Sequence, residues 1–312
     1  MAFRRFKIDW KLKAAAFNFL SIAPFGETLY YLLQRYVTKT IPRQLAPTEE
    51  TGAAQITHAR KFLLRGIHLD ETTLFEFGAG WDLYSNIILY CFGANRQITV
   101  DIRRWVKAEA VNAVIKHLQV DPPRGSVRRP PGCIRQPYLE QDLREIYGII
   151  YRAPLDATAL DFADDSVDLI ATTSVLEHIP DETLQGIMHE CYRVLRSGGL
   201  MSHVIDYSDH YAHSDPQINE FNYLAFDDAS WVKYNPGIHF QNRRRSAYFK
   251  RLFRANGFAV REAAPWYGKA DALDEIPVHP QFREYPRAEL LELGCHFVVQ
   301  KPPAEVQIAR AA

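Results

Sequence analysis

Several features that would assign a chain quickly to a class of protein are absent here. Lys and Arg number 37 and so do Asp and Glu, which leaves no net charge to attract nucleic acid. The four cysteines lie far apart without a C-x-x-C pair, so neither a zinc site nor a disulfide framework is indicated. No stretch reaches the roughly 18 apolar residues of a membrane span. We therefore expect reduced thiols, a cytoplasmic location, no resident metal and no nucleic-acid partner.

What the chain does have is enough apolar sequence for a large core. Of its 312 residues, 47% are hydrophobic, and apolar runs alternate with amphipathic segments. Strands that alternate with helices predict an α/β fold with a mainly parallel sheet. We expect a helical extension over residues 1–70, an α/β domain over 71–302 with insertions near 120–137 and 207–243, and a flexible tail over 303–312.

The N-terminal extension has two interpretations. Through residue 45 it carries eight Lys or Arg residues against two acids, together with many aromatic residues. A basic amphipathic segment of this kind is able to lie on an anionic membrane surface, here the inner face of the membrane. Amphipathic helices that pack on a core are more frequent, however, and they predict a lid on the chain's own domain.

The most informative stretch is LFEFGAGWD, residues 74–82, which is followed by ITVDI at 98–102. An apolar run that ends in an acid and G-x-G indicates a strand and a tight turn, and the next run ends in Asp101, where a carboxylate can bind ribose. A dinucleotide-binding turn needs a third glycine where Leu83 stands. Glu76, two residues before the first glycine, instead suits the cationic amino end of S-adenosylmethionine. The spacing therefore favours a methyl-donor pocket.

Four sequence blocks carry a family resemblance over about residues 74–258: FEFGAG, VDI, DATALDFADDSVDLIATTSVLEHIP and ECYRVLRSGGL. In this order they resemble the class I S-adenosylmethionine-dependent methyltransferases, and among these the type 11 group that includes ubiquinone-biosynthesis enzymes. The resemblance implies a Rossmann-like sheet of seven mostly parallel strands, with helices on both faces and S-adenosylmethionine as cofactor. The terminal additions then become an N-terminal helical extension and a lid insertion after the fifth strand.

The resemblance also implies which residues bind the cofactor. Its methionine end would be bound by the first turn: Glu76, Phe77, Gly78, Ala79 and Gly80. Asp101 would bind both ribose hydroxyls in a charge-assisted contact, and Ile102 would lie against the adenine. Trp81 and Asp82 depart from the family pattern, since many members have a third glycine where Asp82 stands.

The third and fourth strands would complete this pocket. By the same resemblance, Asp156 would accept a hydrogen bond from the adenine amino group, and Ala157 would offer its backbone N–H. Ser174 and Val175 would face the sulfonium. Asp156 has an alternative interpretation as an ordinary turn residue, because Asp favours turns.

A cluster of titratable residues follows the fifth strand, in SHVIDYSDHYAHSD. Because a hydroxyl acceptor must lose its proton, we predict His210 as the base and Asp206 as the residue that orients it. Two alternatives stay open: a polar loop without a catalytic role, and a divalent metal held by Asp206, His210 and Asp215. For the preceding Glu177-His178 we expect a structural role in a packed turn.

The insertion after this cluster is rich in aromatic and basic residues. Four of its rings either stack on a sugar or aromatic acceptor or form the insertion's own small core: Tyr223, Trp231, Tyr234 and His239. Three further residues are candidates for binding a phosphate or carboxylate: Asn242, Arg243 and Arg244. The pattern is similar to that of bacterial methyltransferases of surface-glycan assembly, which favours a sugar hydroxyl.

The sequence thus predicts an S-adenosylmethionine-dependent methyltransferase that transfers a methyl group to a hydroxyl of a small-molecule or glycan-linked acceptor. The competing interpretation is a non-catalytic S-adenosylmethionine-binding or scaffold protein whose N-terminal helices bind a partner or a membrane. Turnover of the cofactor with any acceptor would exclude it. The sequence sets no oligomeric state.

Overall fold

Seven apolar runs form one sheet in the computed structural model, which describes residues 8–304. The strands are β1 (Thr73–Phe77), β2 (Arg96–Val100), β3 (Ile149–Arg152), β4 (Val167–Thr173), β5 (Leu195–Asp206), β6 (Ala259–Tyr267) and β7 (Glu292–Gln300). Their order across the sheet is β3-β2-β1-β4-β5-β7-β6. β1 to β5 pair in parallel, and β7 runs antiparallel to both β5 and β6. The predicted α/β fold with seven mostly parallel strands is confirmed.

Helices cover both faces of this sheet. Over the described residues they are α1 (Trp10–Ile22), α2 (Gly26–Leu32), α3 (Thr48–Thr51), α4 (Ala53–Leu63), α5 (Tyr84–Cys91), α6 (Ala108–Val120), α7 (Leu139–Tyr147), α8 (Asp181–Val194), α9 (Asp228–Trp231), α10 (Ser246–Ala255), α11 (Ala270–Asp274) and α12 (Arg287–Leu290). Successive strand residues face opposite layers. In β1, Leu74 packs with α4 to α7, and Phe75 packs with α8 and α10. Across residues 8–304, no helix has the length and apolar content that a bilayer crossing requires.

Two local details differ from the sequence pattern. The pattern predicts that α8 continues to Arg196 and stops at Gly198-Gly199, but the helix ends at Val194. Leu195 takes extended angles (φ −74°, ψ 132°) and pairs with Val167 of β4, so the two glycines lie within β5. α7 was not among the predicted elements, because its strongly polar sequence LEQDLREIY follows a proline-rich loop.

The N-terminal extension packs on the insertion that follows β5. Buried side chains from α1, this insertion and residues 268–291 form a third core: Trp10, Ala14, Tyr211, Phe221, Tyr223, Leu224, Trp231, Leu273, Phe282 and Leu290. The backbone N–H of Trp10 donates to Asp215 at 2.9 Å, and Lys13 donates to the Ser214 hydroxyl at 2.8 Å. The described part of the extension is thus a lid on the domain. Arg4, Arg5, Lys7 and the tail residues 305–312 lie outside the described residues.

A histidine is buried in the middle of the sheet without a charge partner. The Nδ1 atom of His203, on β5, lies 2.8 Å from the Thr172 hydroxyl, and its ring stacks on Phe253 with an interplanar angle of 8°. Burial, together with the nearby His296, lowers the pKa of His203 to about 3. The folded protein therefore holds this ring neutral.

We expect acid to destabilise the wild type more than the non-titrating variant His203→Phe, which keeps the ring stacking. Below pH 6.5 this histidine binds a proton in the unfolded chain but not in the folded protein, so stability falls as the pH drops toward 3. One such histidine lowers the free energy of unfolding by at most about 1.4 kcal/mol per pH unit in this range. Urea unfolding of both proteins at pH 7, 6 and 5 measures the difference between them. A difference that stays constant with pH would contradict the assignment.

Candidate active site

A cavity of about 540 Å³ opens where β1, β2 and β4 end. In the sheet, β2 and β3 lie on one side of β1, whereas β4 and β5 lie on its other side. Open α/β sheets bind ligands at such a switch point in the strand order. Nine of the eleven predicted cofactor-binding residues line the cavity: Phe77, Gly78, Gly80, Asp101, Ile102, Asp156, Ala157, Ser174 and Val175. The sequence prediction of the cofactor residues therefore coincides with a real concavity.

Two glycines shape the turn after β1. Gly78 and Gly80 have φ of +83° and +63°, a region that residues with side chains rarely adopt. A Cβ on Gly78 would lie 2.7 Å from Cγ2 of Val175, so only glycine allows this close approach. A Cβ on Gly80 would meet no atom within 4 Å, which leaves room beside the turn for a ligand.

Asp101 follows β2 and presents its carboxylate at the cavity. One oxygen accepts from the N–H of Gly80 at 3.3 Å, and the other accepts from the N–H of Arg103 at 3.0 Å. Burial raises the pKa of Asp101 above its ordinary value, and these backbone donors oppose the rise. A carboxylate has about four lone-pair sites, so both oxygens can accept a further hydrogen bond. This geometry fits two adjacent ribose hydroxyls.

Asp156 and Ser174 lie on the opposite wall. The Asp156 carboxylate accepts from the N–H and the hydroxyl of Thr158, both at 2.8 Å, which is a turn-stabilising pattern. It also lines the cavity, so the turn role and the adenine contact are compatible. Ser174 has φ of +52°, a strained conformation of the kind that clusters at functional sites.

Glu76 and Ala79 are the two predicted cofactor-binding residues that do not line the cavity. Glu76 is 4% exposed and lies behind the turn. Burial raises its pKa to about 8, while hydrogen bonds with Ser85 and Asn86 favour the charged form. The N–H of Ala79 donates to the Val100 carbonyl at 3.3 Å. Both residues therefore support the turn, because their polar groups face the protein interior.

The departure from the family pattern connects the turn to the lid. Asp82 pairs with Arg43 at 2.5 Å and accepts from the N–H of Tyr84 at 3.2 Å. Trp81 stacks on Tyr31 of α2, with ring centroids 5.4 Å apart. A glycine in place of Asp82 has no side chain to pair with Arg43, so this chain uses the position to attach its N-terminal extension.

Further cavity residues were missed at the sequence level. They include Tyr30, Trp81, Arg103, Trp105, Leu155 and His178, and from the insertion Gly237, Ile238 and Phe240. Trp81 follows the glycine turn directly, and Trp105 stands three residues after the VDI block, which was a usable signal. Tyr30 and residues 237–240 come from segments without a local motif, and only the packing of the lid brings them to the cavity.

A histidine–acid cluster, formed by Glu177, His178, Asp206 and His210, adjoins the cavity where β4 and β5 end. Glu177, His178 and His210 each place a nitrogen or oxygen atom within 4.8 Å of the others. Oε1 of Glu177 accepts from the Asp206 N–H at 3.3 Å, and Oε2 is buried without a hydrogen-bond partner among the described residues. Oδ2 of Asp206 lies 3.6 Å from Nε2 of His210, an ion-pair distance.

Within this cluster, His178 rather than His210 lines the cavity. Its Nδ1 lies 2.7 Å from the Phe240 carbonyl and donates to it, which leaves Nε2 as an acceptor. Burial and the nearby His210 lower the pKa of His178 to about 4, so the ring is neutral at pH 7. The ring of His210 stands 4.9 Å from that of His178, one layer behind the wall. His178 therefore lines the cavity in addition to packing within its turn.

Asp215 is not part of this cluster. Its carboxylate accepts from the N–H of Trp10 and lies with α1. The alternative metal set of Asp206, His210 and Asp215 is therefore not assembled. Among residues 8–304, the side chains whose donor types and spacing could hold a cation are Glu177, His178 and His210.

Trp231 and the three candidate anion-binding residues Asn242, Arg243 and Arg244 all have partners within the protein. Trp231 is buried in the third core. Arg243 donates to two main-chain carbonyls of the insertion and pairs with Asp228, and Arg244 pairs with Asp181 at 2.6 Å. The amide of Asn242 donates to the carbonyls that flank the Glu177-His178 turn. These groups are engaged and do not present a phosphate or carboxylate site.

Comparisons with known proteins bear on this geometry. A family described as "Methyltransferase domain" matches residues 139–202. An S-adenosylmethionine-dependent methyltransferase from Methanosarcina mazei is similar in structure, with 14% identity and a TM-score of 0.42 over 77% of this chain and 97% of that chain. Another, from Mesorhizobium loti, has 13% identity and a TM-score of 0.45 over 80% of this chain and 99% of that chain. No curated protein matches the chain.

The family match covers α7, β3, β4, α8 and the first part of β5, which includes the Asp156 and Ser174 walls of the cavity. The strand order and the glycine turn beside Asp101 extend the same pattern through β1 and β2. Residues 139–202 are therefore similar to a methyltransferase domain, and the whole chain has the seven-stranded, mostly parallel sheet of a Rossmann-like fold.

Proposed function

We propose that this enzyme transfers a methyl group to a hydroxyl of a small-molecule or glycan-linked acceptor in the cytoplasm. The observation that carries the proposal is the histidine–acid cluster beside the cavity, since a hydroxyl is the acceptor that most needs a base. The cytoplasmic location is supported by its four cysteines, all of which are free.

S-adenosylmethionine supplies a methyl group on a sulfonium sulfur, which a nucleophile attacks directly. Asp101 would hold the ribose, Asp156 and Ala157 would hold the adenine, and the turn at Gly78 and Gly80 would admit the methionine end. These residues fix the position of the cofactor, so that the acceptor needs to be aligned only with the methyl group.

The acceptor hydroxyl enters on the side of His178. The ring of His178 forms the wall beside it. Because His210 lies behind this wall, it takes the hydroxyl proton through one bridging water molecule, and Asp206 stabilises the imidazolium that results. Burial opposes ionisation of Asp206, but His210 and Ser208 hold its pKa below the ordinary value, so a carboxylate is present at pH 7.

A methyl-transfer assay with labelled S-adenosylmethionine tests this proposal. A matched panel offers one sugar with a free hydroxyl, its amino-sugar counterpart and the same sugar with the hydroxyl blocked. We expect labelled product and S-adenosylhomocysteine from the free hydroxyl alone. Transfer to the amino sugar only would contradict O-methylation, and cofactor binding without turnover on any acceptor would favour the scaffold interpretation.

Dialysis of the enzyme against EDTA before the same assay distinguishes a catalytic base from a bound metal cation. The proposal expects unchanged turnover, because His210 needs no metal to accept a proton. If EDTA removes the activity and a divalent cation restores it, the cluster is a metal site and His210 is not the base.

A further inference from the structure

An exposed apolar strip runs along the lid, on α1, α2 and the π-helical turn Leu33–Val37. Of the 17 large hydrophobic side chains that are exposed in the described residues, eight lie between residues 12 and 37. Ile22 and Phe25 are 84% and 86% exposed, and Leu12, Phe19, Leu29 and Leu32 accompany them. Such a concentration of exposed apolar surface marks an interaction site.

Phe25 gives a second, independent observation. Its φ of 61° is a left-handed conformation that favours glycine and disfavours a bulky side chain. The ring is nearly fully exposed, so contacts within the domain do not offset this strain. A surface outside the chain is what would give the aromatic ring at this position a contact.

The charges beside the strip indicate the chemistry of that surface. Lys11 on α1 and Lys39, two residues after the π-helical turn, are exposed. The two acids of the lid are engaged within the protein: Asp9 caps α1, and Glu27 pairs with Arg103 at 2.8 Å. An apolar strip with basic residues at its edge complements a surface that is apolar inside and anionic outside.

We infer that the lid binds the surface of a membrane that contains anionic lipids. The strip lies at the boundary between headgroups and acyl chains, and the basic residues contact the headgroups. α2 places Tyr30 in the cavity wall and Leu29 and Leu32 in the strip. The same helix therefore contributes to both the strip and the cavity wall.

Co-sedimentation of the full chain with lipid vesicles tests this inference. The vesicles consist of phosphatidylcholine alone or of phosphatidylcholine mixed with phosphatidylglycerol. We expect the wild type to bind the mixed vesicles and to bind them less at high salt, because salt screens the basic residues. Phe25→Gly should lower the partition coefficient about tenfold, because this is the contribution that a partly buried aromatic ring makes to membrane binding. Its Tm should stay equal or rise, since glycine relieves the left-handed strain.

Matched variants separate the strip from general surface hydrophobicity. Ile22→Ser should weaken binding, whereas Leu64→Ser, at the end of α4, should not, although Leu64 is 82% exposed. Failure of the wild type to bind anionic vesicles would overturn the inference, as would equal losses in both serine variants. Self-association that Ile22→Ser abolishes, without vesicle binding, would assign the strip to a second copy of the chain. The assay uses neither cofactor nor acceptor, so its outcome is independent of methyl transfer.

Discussion

Asp101→Ala should lose at least about 100-fold in affinity for S-adenosylmethionine, because two hydrogen bonds from the ribose to a carboxylate are each worth about 1.5–3 kcal/mol. No neighbouring acid replaces it: the Asp156 carboxylate stands on the opposite wall and is engaged by Thr158. Calorimetric titration with S-adenosylmethionine and S-adenosylhomocysteine measures the loss. Both ligands should be affected alike, since they share the ribose.

The matched control is Asp161→Ala. Asp161 is also an aspartate at this end of the sheet, but it is exposed and pairs with Arg152 outside the cavity. It should leave affinity unchanged. Asp101→Ala should remain folded, because the substitution removes a carboxylate whose pKa burial already raises. A folded Asp101→Ala with wild-type affinity would show that the ribose does not bind here.

The sheet was predictable because its strands are encoded locally. β1 (Thr73–Phe77) lies where the apolar run before the glycine turn predicts a strand, since this run is bounded by polar residues on one side and by the turn on the other. The cofactor residues followed from the same logic: Asp101, Asp156 and Ser174 each stand where a parallel strand ends, and these ends meet at one edge. Local pattern and topology together placed nine of the eleven at the cavity.

The lid was not predictable in the same way. Tyr30 reaches the cavity only because Trp81 stacks on the adjacent Tyr31 and Asp82 pairs with Arg43, contacts between residues about 40 to 50 apart in sequence. From the sequence alone, Asp82 was a departure that weakened the pocket. In the structure it is an attachment point for the extension.

The histidine–acid cluster shows the same limit for the catalytic residues. The sequence placed Asp206 and His210 together because they are four residues apart after β5. It could not show whether they lie nearer to the cavity than His178 or farther from it, because His178 follows a different strand. The hydrogen bond from His178 to the Phe240 carbonyl, 62 residues away, turns that ring into the cavity wall. Depth decides which histidine lines the cavity and which one lies behind its wall.

His210→Ala should lower kcat by about 100-fold or more, the usual value of a general base, and leave the affinity for S-adenosylhomocysteine unchanged. Asp206→Asn should give a smaller loss of the same kind, because it removes the charge that stabilises the imidazolium and keeps the side-chain shape. His189→Ala, an exposed histidine on α8, serves as the control and should have wild-type kcat. Single-turnover rates and calorimetric titration measure the two quantities separately.

A structural role for His210 would also lower kcat, so the acidity of the acceptor provides the decisive comparison. A base matters less as the acceptor hydroxyl becomes more acidic, because such a hydroxyl gives up its proton with less help. The loss in His210→Ala should therefore shrink from an alcohol to a phenol with electron-withdrawing substituents. A misplaced loop would slow both acceptors equally. Equal losses would remove His210 from the reaction and leave His178, the ring in the cavity wall, as the residue that receives the proton.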